Sequence, residues 1–389
     1  MIPVSEALDH LLDLVTPLEV EHVPLAEAAG RVLAEDLTAN RDQPPFAASA
    51  MDGYAVNKAE VELHAMFKVI GEAAAGHGFP GRVGAGQAVR IFTGAPVPEG
   101  ASFVVIQEDV DRKGNLITIM DQPGGDNIRP AGGDFKIGDV VAAPKRLAPA
   151  DIALLAAMNI ATVPVRRKPD IALMSTGDEL VMPGETPGPD QIIASNTFGL
   201  KALLEEIGAS VRMLPIARDD KPALRAAFGL ADGADLVVTI GGASVGDHDL
   251  VGHVAQELGL EQSFYKVAMR PGKPLMGGRM GDAAMIGLPG NPVSAMVCGH
   301  VFLAPVVHRM LGLPIAATVK SAPLLEPLSD NGPRAHYMRA ILSPEGITPC
   351  PNQDSALLSV LASANALLIR PPHDTARDAG ETVEYMPLG

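Results

Sequence analysis

Three segments that suit an anionic ligand lie between Asp235 and Ser294. The first is Gly241-Gly242-Ala243-Ser244-Val245-Gly246-Asp247-His248-Asp249, the second Arg270-Pro271-Gly272-Lys273-Pro274, and the third Leu288-Pro289-Gly290-Asn291-Pro292-Val293-Ser294. Each follows an apolar run or lies a few residues beyond one, where strands often end. The first and third also run into helical patterns, and a helix N-terminus presents backbone N–H groups to a negative ligand. Glycines let the backbone approach that ligand closely, and Ser244 adds a hydroxyl donor. With Lys266, Arg270 and Lys273 between the two loops, the group points to a strongly anionic ligand. Like charges repel, so if these cations converge, carboxylates or a bound anion must offset the repulsion.

Acids accompany the loops. Ser175-Thr176-Gly177-Asp178-Glu179-Leu180 follows an apolar strand. Adjacent carboxylates at a strand end suit magnesium, which prefers oxygen ligands and shares them with phosphate; the alternative is a turn that only caps the strand. Asp247 and Asp249 flank His248 at a helix start. Capping explains one of them, and the pair points toward metal or proton handling. The glycine loop matches neither the dinucleotide fingerprint nor the P-loop, so neither NAD nor a P-loop nucleotide is signalled.

The elements that must position these residues read as alternating strands and helices from Pro169 onward. Strands are expected at 171–174, 211–216, 236–240, 264–269 and 284–288, and helices at 195–207, 221–230, 249–258 and 292–311. Such alternation implies a mostly parallel sheet with helices on both faces, and ligands of such sheets sit beyond the C-terminal strand ends. Upstream, residues 5–15 predict an amphipathic helix capped by Ser5, and 25–37 a second helical pattern around Gly30. Residues 52–136 predict short strands with glycine turns, at 66–71, 88–92, 102–108 and 116–120, followed by a helix at 149–158. After Pro314 the pattern turns β-like again, at 334–343 and 366–369.

Composition bounds the class. The 389 residues, 47% of them hydrophobic, exceed one ordinary core, so two to four domains are expected. The net charge of −16 excludes a broad basic face, and with it nucleic acid as a partner. No apolar run reaches the roughly 20 residues of a membrane span, no signal peptide is visible, and a cytoplasmic location is expected. Cys298 and Cys350 form no metal or redox spacing, and Cys298 is expected in the core.

The Gly-Gly-x-Ser-x-Gly-x-x-Asp loop, the Lys266–Pro274 segment and the Gly287–Ser294 loop together resemble the molybdopterin molybdenumtransferase family (MoeA), the bacterial counterpart of the gephyrin E domain. Further stretches strengthen the resemblance: Ser49-Ala50-Met51-Asp52-Gly53-Tyr54-Ala55, Phe92-Thr93-Gly94-Ala95-Pro96-Val97-Pro98, Asn127-Ile128-Arg129-Pro130-Ala131-Gly132-Gly133-Asp134, Ser175–Leu180 and Asn352-Gln353-Asp354-Ser355. It spans essentially the whole chain. It implies an enzyme that takes adenylated molybdopterin and molybdate, releases AMP and leaves molybdenum on the pterin dithiolene, with magnesium assisting. The implied fold is multidomain α/β and β: an extended N-terminal dimerisation domain (1–40 and 139–167), a β-rich inserted domain (41–138), a central three-layer α/β domain with a mostly parallel sheet (168–313) and a C-terminal β-barrel-like domain (314–389). The implied assembly is a homodimer, with a molybdopterin adenylyltransferase as a further partner.

The resemblance also implies residue roles. Lys266, Arg270, Lys273 and Ser294 supply charge and donors to the anions. Gly241, Gly242 and Ser244 contact the substrate. Arg339 and Ser355 complete the molybdate pocket, with Pro289 and Pro292 shaping its wall. Asp178, Glu179, Asp219 and Asp249 handle magnesium and water, with Asp178 and Asp249 as metal ligands. Asp52, Thr93, Arg129 and Asp134 reach in from the second domain. Many relatives carry lysine at position 270; arginine keeps the charge and changes its geometry. The rival classes are the adenylyltransferase of the preceding step, which resembles the parallel domain alone, and a non-catalytic scaffold like the gephyrin E domain.

Overall fold

The computed structural model describes residues 1–122, 124–242, 250–315 and 319–388. The chain forms two compact units. One comprises Met1–Glu21, Gly30–Ala34 and Val165–Gly389, and the other His22–Ala29 and Glu35–Pro164.

At the centre of the first unit lies a six-stranded sheet. Its order is Ser210–Met213, Asp170–Ser175, Leu236–Ile240, Ala283–Leu288, Met276–Met280, Leu260–Tyr265. The first four strands pair in parallel, and Met276–Met280 runs antiparallel to both of its neighbours. Side chains alternate between two cores, as the two-residue period of a strand requires. Ile171, Leu173, Leu236 and Val238 enter one, with helix Asn196–Glu206 and the long helix Pro292–Met310. Ala172, Met174 and Val237 enter the other, with helices Lys221–Leu230 and Leu250–Glu257. These are the three layers expected of a sheet covered on both faces.

The long helix contains a π-helical turn at Gly299–Leu303. Its 19 residues and mean hydropathy of 1.3 would suit a membrane span, but 72% of its most apolar window is buried inside the protein. Cys298, on this helix, is fully buried in the core as expected, and burial pushes its thiol pKa up.

The first helix, Val4–Asp13, also lies on the sheet. Ala7 and Leu11, four residues apart, enter its core. A Cβ on Gly277 would stand 2.5 Å from Leu11 Cδ2, so glycine there permits the close approach. Ser5 is not the cap. Pro3 occupies the N-cap position without a side-chain bond, because Ile2 pairs with Val267 and its N–H donates to Lys266 O at 3.1 Å, which starts the helix earlier.

Two other expectations are corrected. Residues 25–37 form a 3-10 turn, Leu25–Glu27, and short strands Val32–Leu33 and Leu37–Thr38, with Gly30 at φ +74° between them. The single strand expected at 264–269 is two strands in different sheets. Leu260–Tyr265 pairs with Met276–Met280, while Met269–Arg270 pairs with Ala335–Ser343 of the C-terminal sheet. The strand Met276–Met280 escaped notice because Gly277 and Gly278 dilute its β-propensity.

In the C-terminal region Ala335–Ser343, Ala366–Arg370, Thr382–Pro387 and Lys320–Pro323 are successive neighbours, and Gly346–Pro349 pairs with the first of them. A bridge between Leu324 and Ile347 joins the two ends of this path. The ring encloses Leu324, Ala340, Ile347, Leu368, Val383 and Tyr385, which makes it barrel-like.

The second unit is built on another six-stranded sheet, ordered Phe103–Ile106, Gly53–Val56, Gln87–Ile91, Met66–Ala73, Leu116–Ile119, Val110–Lys113. Phe67, Ile117 and Ile119 pack on one face, and Val89, Ile91 and Val104 on the other. Helix Pro149–Ala157 belongs to the same unit.

Candidate functional site

Three adjacent parallel strands end at one level. Ser175 is in register with Ile240, and Ile240 with Leu288. The chain then stays tied for one more step: Thr176 N donates to Ile240 O at 3.0 Å, and Gly241 N to Leu288 O at 3.1 Å. The loops that follow open into a single cavity of about 460 Å³ at the carboxyl ends of the strands.

Gly241 and Gly242 line its floor at φ +86° and +66°. Successive left-handed residues are costly for anything but glycine. A Cβ on Gly242 would also meet Val251 Cγ2 at 2.2 Å and Thr176 Oγ1 at 2.9 Å. The Thr176 hydroxyl beside this turn is buried and, among the described residues, has no hydrogen-bond partner. Ser244 and Asp249, the other site residues expected on this loop, lie outside the described residues.

Glu179 and Asp219 line the cavity. Asp178 faces a smaller neighbouring pocket with Gln191 and Arg218, and its carboxylate accepts from Asp219 N at 3.4 Å. Burial, then the nearby Asp178 and Glu179, hold the Asp219 carboxyl above the ordinary carboxylate range. Among the described residues, no three acid, histidine or cysteine side chains stand in an arrangement ready to hold a metal. Two cavity carboxylates with a third beside them still fit magnesium, which takes one or two carboxylates and completes its shell with phosphate oxygens and water.

The cationic segment folds back on itself, Val267 N donating to Lys273 O at 3.1 Å. Lys266 and Lys273 thereby reach the cavity together, and among the described residues neither forms an ion pair. Arg270 is not part of the cavity lining. Its guanidinium turns to Asn331, donating to Oδ1 at 3.1 Å.

Pro289 and Pro292 form the third wall, and Ser294 is buried in the helix behind them. This loop is fastened to the C-terminal region. Asn291 Nδ2 donates to Ser355 Oγ at 3.0 Å, and Val293 N to Ser355 O at 3.0 Å. Next to Ser355 lies Arg339, whose side chain is fully buried. Its Nη2 donates to Asp354 O at 3.0 Å, but among the described residues Nε and Nη1 have no partner. Burial lowers its pKa. A buried guanidinium with two idle donors is costly, and an oxyanion is the ligand that would satisfy it.

Sequence reasoning overlooked other parts of the wall. Asn196 begins a helix and donates from Nδ2 to Gly290 O at 2.7 Å, fastening the third loop. Leu180, Ile192 and Ile193 add apolar surface to the lining, which suits the ring of a heterocycle. The Ser195-Asn196 pair at a helix start was a visible signal. The isoleucines were not, because only tertiary structure carries their short strand to the cavity.

The four remaining site residues belong to the other unit. Asp52 accepts from both the backbone N–H and the hydroxyl of Thr93, each at 2.8 Å. These bonds hold its carboxyl below the usual range. Arg129 pairs with Ala48 in a two-stranded ladder, and Asp134 N donates to Gln43 O at 2.9 Å.

A three-layer α/β core with a lysine-lined cavity at its strand ends, in one chain with a β-rich unit and a barrel-like C-terminal sheet, defines a multidomain α/β and β protein with its ligand cavity at the carboxyl edge of the central sheet. Residues 172–309 match the family described as a probable molybdopterin binding domain. Residues 2–159 match the MoeA N-terminal region (domain I and II), and residues 321–388 the MoeA C-terminal region (domain IV). A molybdopterin molybdenumtransferase of Haemophilus influenzae is 38% identical over 317 residues, covering 80% of this chain and 78% of its own. That of Nostoc sp. is 34% identical and spans 100% of this chain and 94% of its own. The crystal structure of a molybdopterin biosynthesis MoeA protein from Pyrococcus horikosii superposes with a TM-score of 0.84 at 31% identity, covering 100% of this chain and 99% of that one. The chain belongs to the MoeA family.

Proposed function

We propose that the chain is a molybdenum insertase of molybdenum cofactor biosynthesis, converting adenylated molybdopterin and molybdate to molybdenum-loaded molybdopterin and AMP. The observation that carries this reading is the single cavity in which the glycine turn, Lys266, Lys273 and the Pro289–Pro292 loop meet two carboxylates. Breaking a phosphoanhydride calls for positioning and charge neutralisation more than for a nucleophilic side chain. Lys266 neutralises the substrate's phosphates, Lys273 chiefly the molybdate beside them, and the Gly241-Gly242 turn admits the phosphates close to the backbone. The apolar Leu180–Ile193 side holds a flat ring. Arg339, with Ser355 and Ser294, receives the molybdate, with Pro289 and Pro292 shaping the pocket.

Glu179 and Asp219, with Asp178 behind them, would hold magnesium, which when bound neutralises the anhydride oxygens. In the same reading the protein is a cytoplasmic homodimer that receives its substrate from an adenylyltransferase. Asp52, Thr93, Arg129 and Asp134 then serve the cavity of the partner subunit. The four-domain division at 1–40 with 139–167, 41–138, 168–313 and 314–389 belongs to this reading too.

The deciding assay supplies adenylated molybdopterin, molybdate and magnesium and follows AMP. Molybdate-dependent AMP release is expected, with no adenylation of molybdopterin from ATP. A folded protein that releases no AMP, or that adenylates the pterin instead, defeats the reading.

A further inference from the structure

Lys266 stands where the chain leaves the central sheet for the C-terminal one. Tyr265, just before it, pairs with Met276, and Met269, three residues on, pairs with Ala335. The change of direction is made on a lysine at φ +156°. Residues other than glycine rarely adopt positive φ, and such strain persists only where the surroundings over-determine it. The strain matters to the site because Lys266 lines the cavity.

Hydrogen bonds hold this backbone. Ile2 lies beside it and forms a parallel bridge with the fully buried Val267. The Ile2 N–H donates to Lys266 O at 3.1 Å, and the Ile2 carbonyl accepts from Ala268 N at 2.7 Å. Between these two bonds, Val267 N donates to Lys273 O at 3.1 Å, and just beyond them Ala335 N donates to Ala268 O at 2.9 Å. Ile2 thus makes two of these four bonds, including the one to the Lys266 carbonyl.

Ile2 is itself fixed. Its side chain packs against the core that the first helix shares with the central sheet. Pro3 next to it occupies the N-cap of helix Val4–Asp13, and its carbonyl accepts from Ala7 N at 3.0 Å. Ala7 and Leu11 anchor that helix, both buried on the sheet. The Lys266 side chain has one further support, a cation–π contact with Nζ 5.2 Å from the centroid of the Tyr265 ring.

We propose that Ile2 is a positioning residue of the cavity. Through its two backbone bonds it holds Lys266 in the strained conformation that carries the ammonium group into the cavity. The proposal rests on the reading of Lys266 as the cation that neutralises the substrate's phosphates. Released from Ile2, the Lys266 backbone relaxes toward negative φ and its side chain leaves in another direction. The charge is then lost from the cavity although every residue of the lining is unchanged.

The test uses the full chain carrying Ile2→Pro, which removes the N–H donated to Lys266 O. Ile2→Val, which keeps that N–H and a branched side chain, is the conservative control. The proteins are labelled with trace acetic anhydride, and the labelling rate of each lysine is read by mass spectrometry. In Ile2→Pro we expect Lys266 to react several-fold faster than in wild type, with the exposed Lys58 unchanged and Ile2→Val like wild type. AMP release is then followed on the wild-type and Lys266→Ala backgrounds. Ile2→Pro should slow it about tenfold where Lys266 is present and leave the residual rate of Lys266→Ala unchanged, since a residue that acts through Lys266 has nothing left to position. An unchanged labelling rate at Lys266 overturns the proposal. So does an equal loss on both backgrounds, which marks a general loosening of the fold. Should Ile2→Pro fail to fold, Ile2→Gly, which keeps the N–H and frees the backbone, is judged by the same two measurements. A wild type that releases no AMP defeats the insertase reading alone, and the labelling still decides whether Ile2 places Lys266.

Discussion

At the residue scale, charge is placed where a partner must complete it. Asp374 shows the opposite case, a buried carboxylate whose partners are already present. Arg377 first, then Arg370, hold its pKa down, and its side chain is only 8% exposed. Asp374→Asn would leave the buried Arg370 uncompensated and should cost about 3–5 kcal/mol. Denaturant unfolding measures this, and a cost below 1 kcal/mol would show that Asp374 does not neutralise Arg370. His336 gives a pH dependence with a definite sign. Its folded pKa, about 3, lies below the ordinary value of 6.5. Between these values the unfolded chain binds a proton that the folded chain does not, so stability falls as pH drops through that window. The depressed Asp374 adds its loss only at lower pH, below the ordinary carboxylate range. His336→Gln should therefore flatten the decline of Tm between pH 7 and pH 5, and parallel declines would rule out its neutral burial. In the cavity, Lys273→Ala should weaken molybdate use more than pterin binding, with equal losses counting against its role.

At the element scale, the site depends on three parallel strands ending together. Thr176 and Gly241 keep these ends tied, and the turn at Gly241-Gly242 fits only because neither residue has a Cβ. Gly242→Ala imposes both a left-handed strain and a clash with Val251, for a combined cost of about 2–4 kcal/mol. Thermal unfolding should show the drop along with lost AMP release; a stable, active Gly242→Ala protein would mean that the turn is not built this way. The cationic segment illustrates what local pattern conceals. Residues 264–269 read as one strand, yet tertiary pairing divides this stretch between two sheets and leaves Arg270 out of the cavity that Lys266 and Lys273 line.

At the scale of the whole molecule, the proposed homodimer makes two measurements decisive. Sedimentation should show a species of twice the 40.4 kDa chain mass; a 40.4 kDa species alone would end the idea of a shared site. Thr93→Ala and Lys273→Ala proteins, each impaired alone, should recover part of the activity when mixed, since a mixed dimer holds one intact combination. Absence of recovery despite subunit exchange would confine each site to one chain.

The alternation of strand and helix after Pro169, the loops at the strand ends and the burial of Cys298 were readable in the chain. Each is a local consequence of side-chain period, backbone freedom or apolar character. The family resemblance was legible for the same reason, since its motifs are short and contiguous. Tertiary structure alone decided which cations share the cavity, that Asn196 and two isoleucines belong to its wall, and that Arg339 is buried with idle donors. These are facts about side chains far apart in sequence, set by which strands pair. Pairing is chosen by the burial of whole faces, and no local window of sequence contains it.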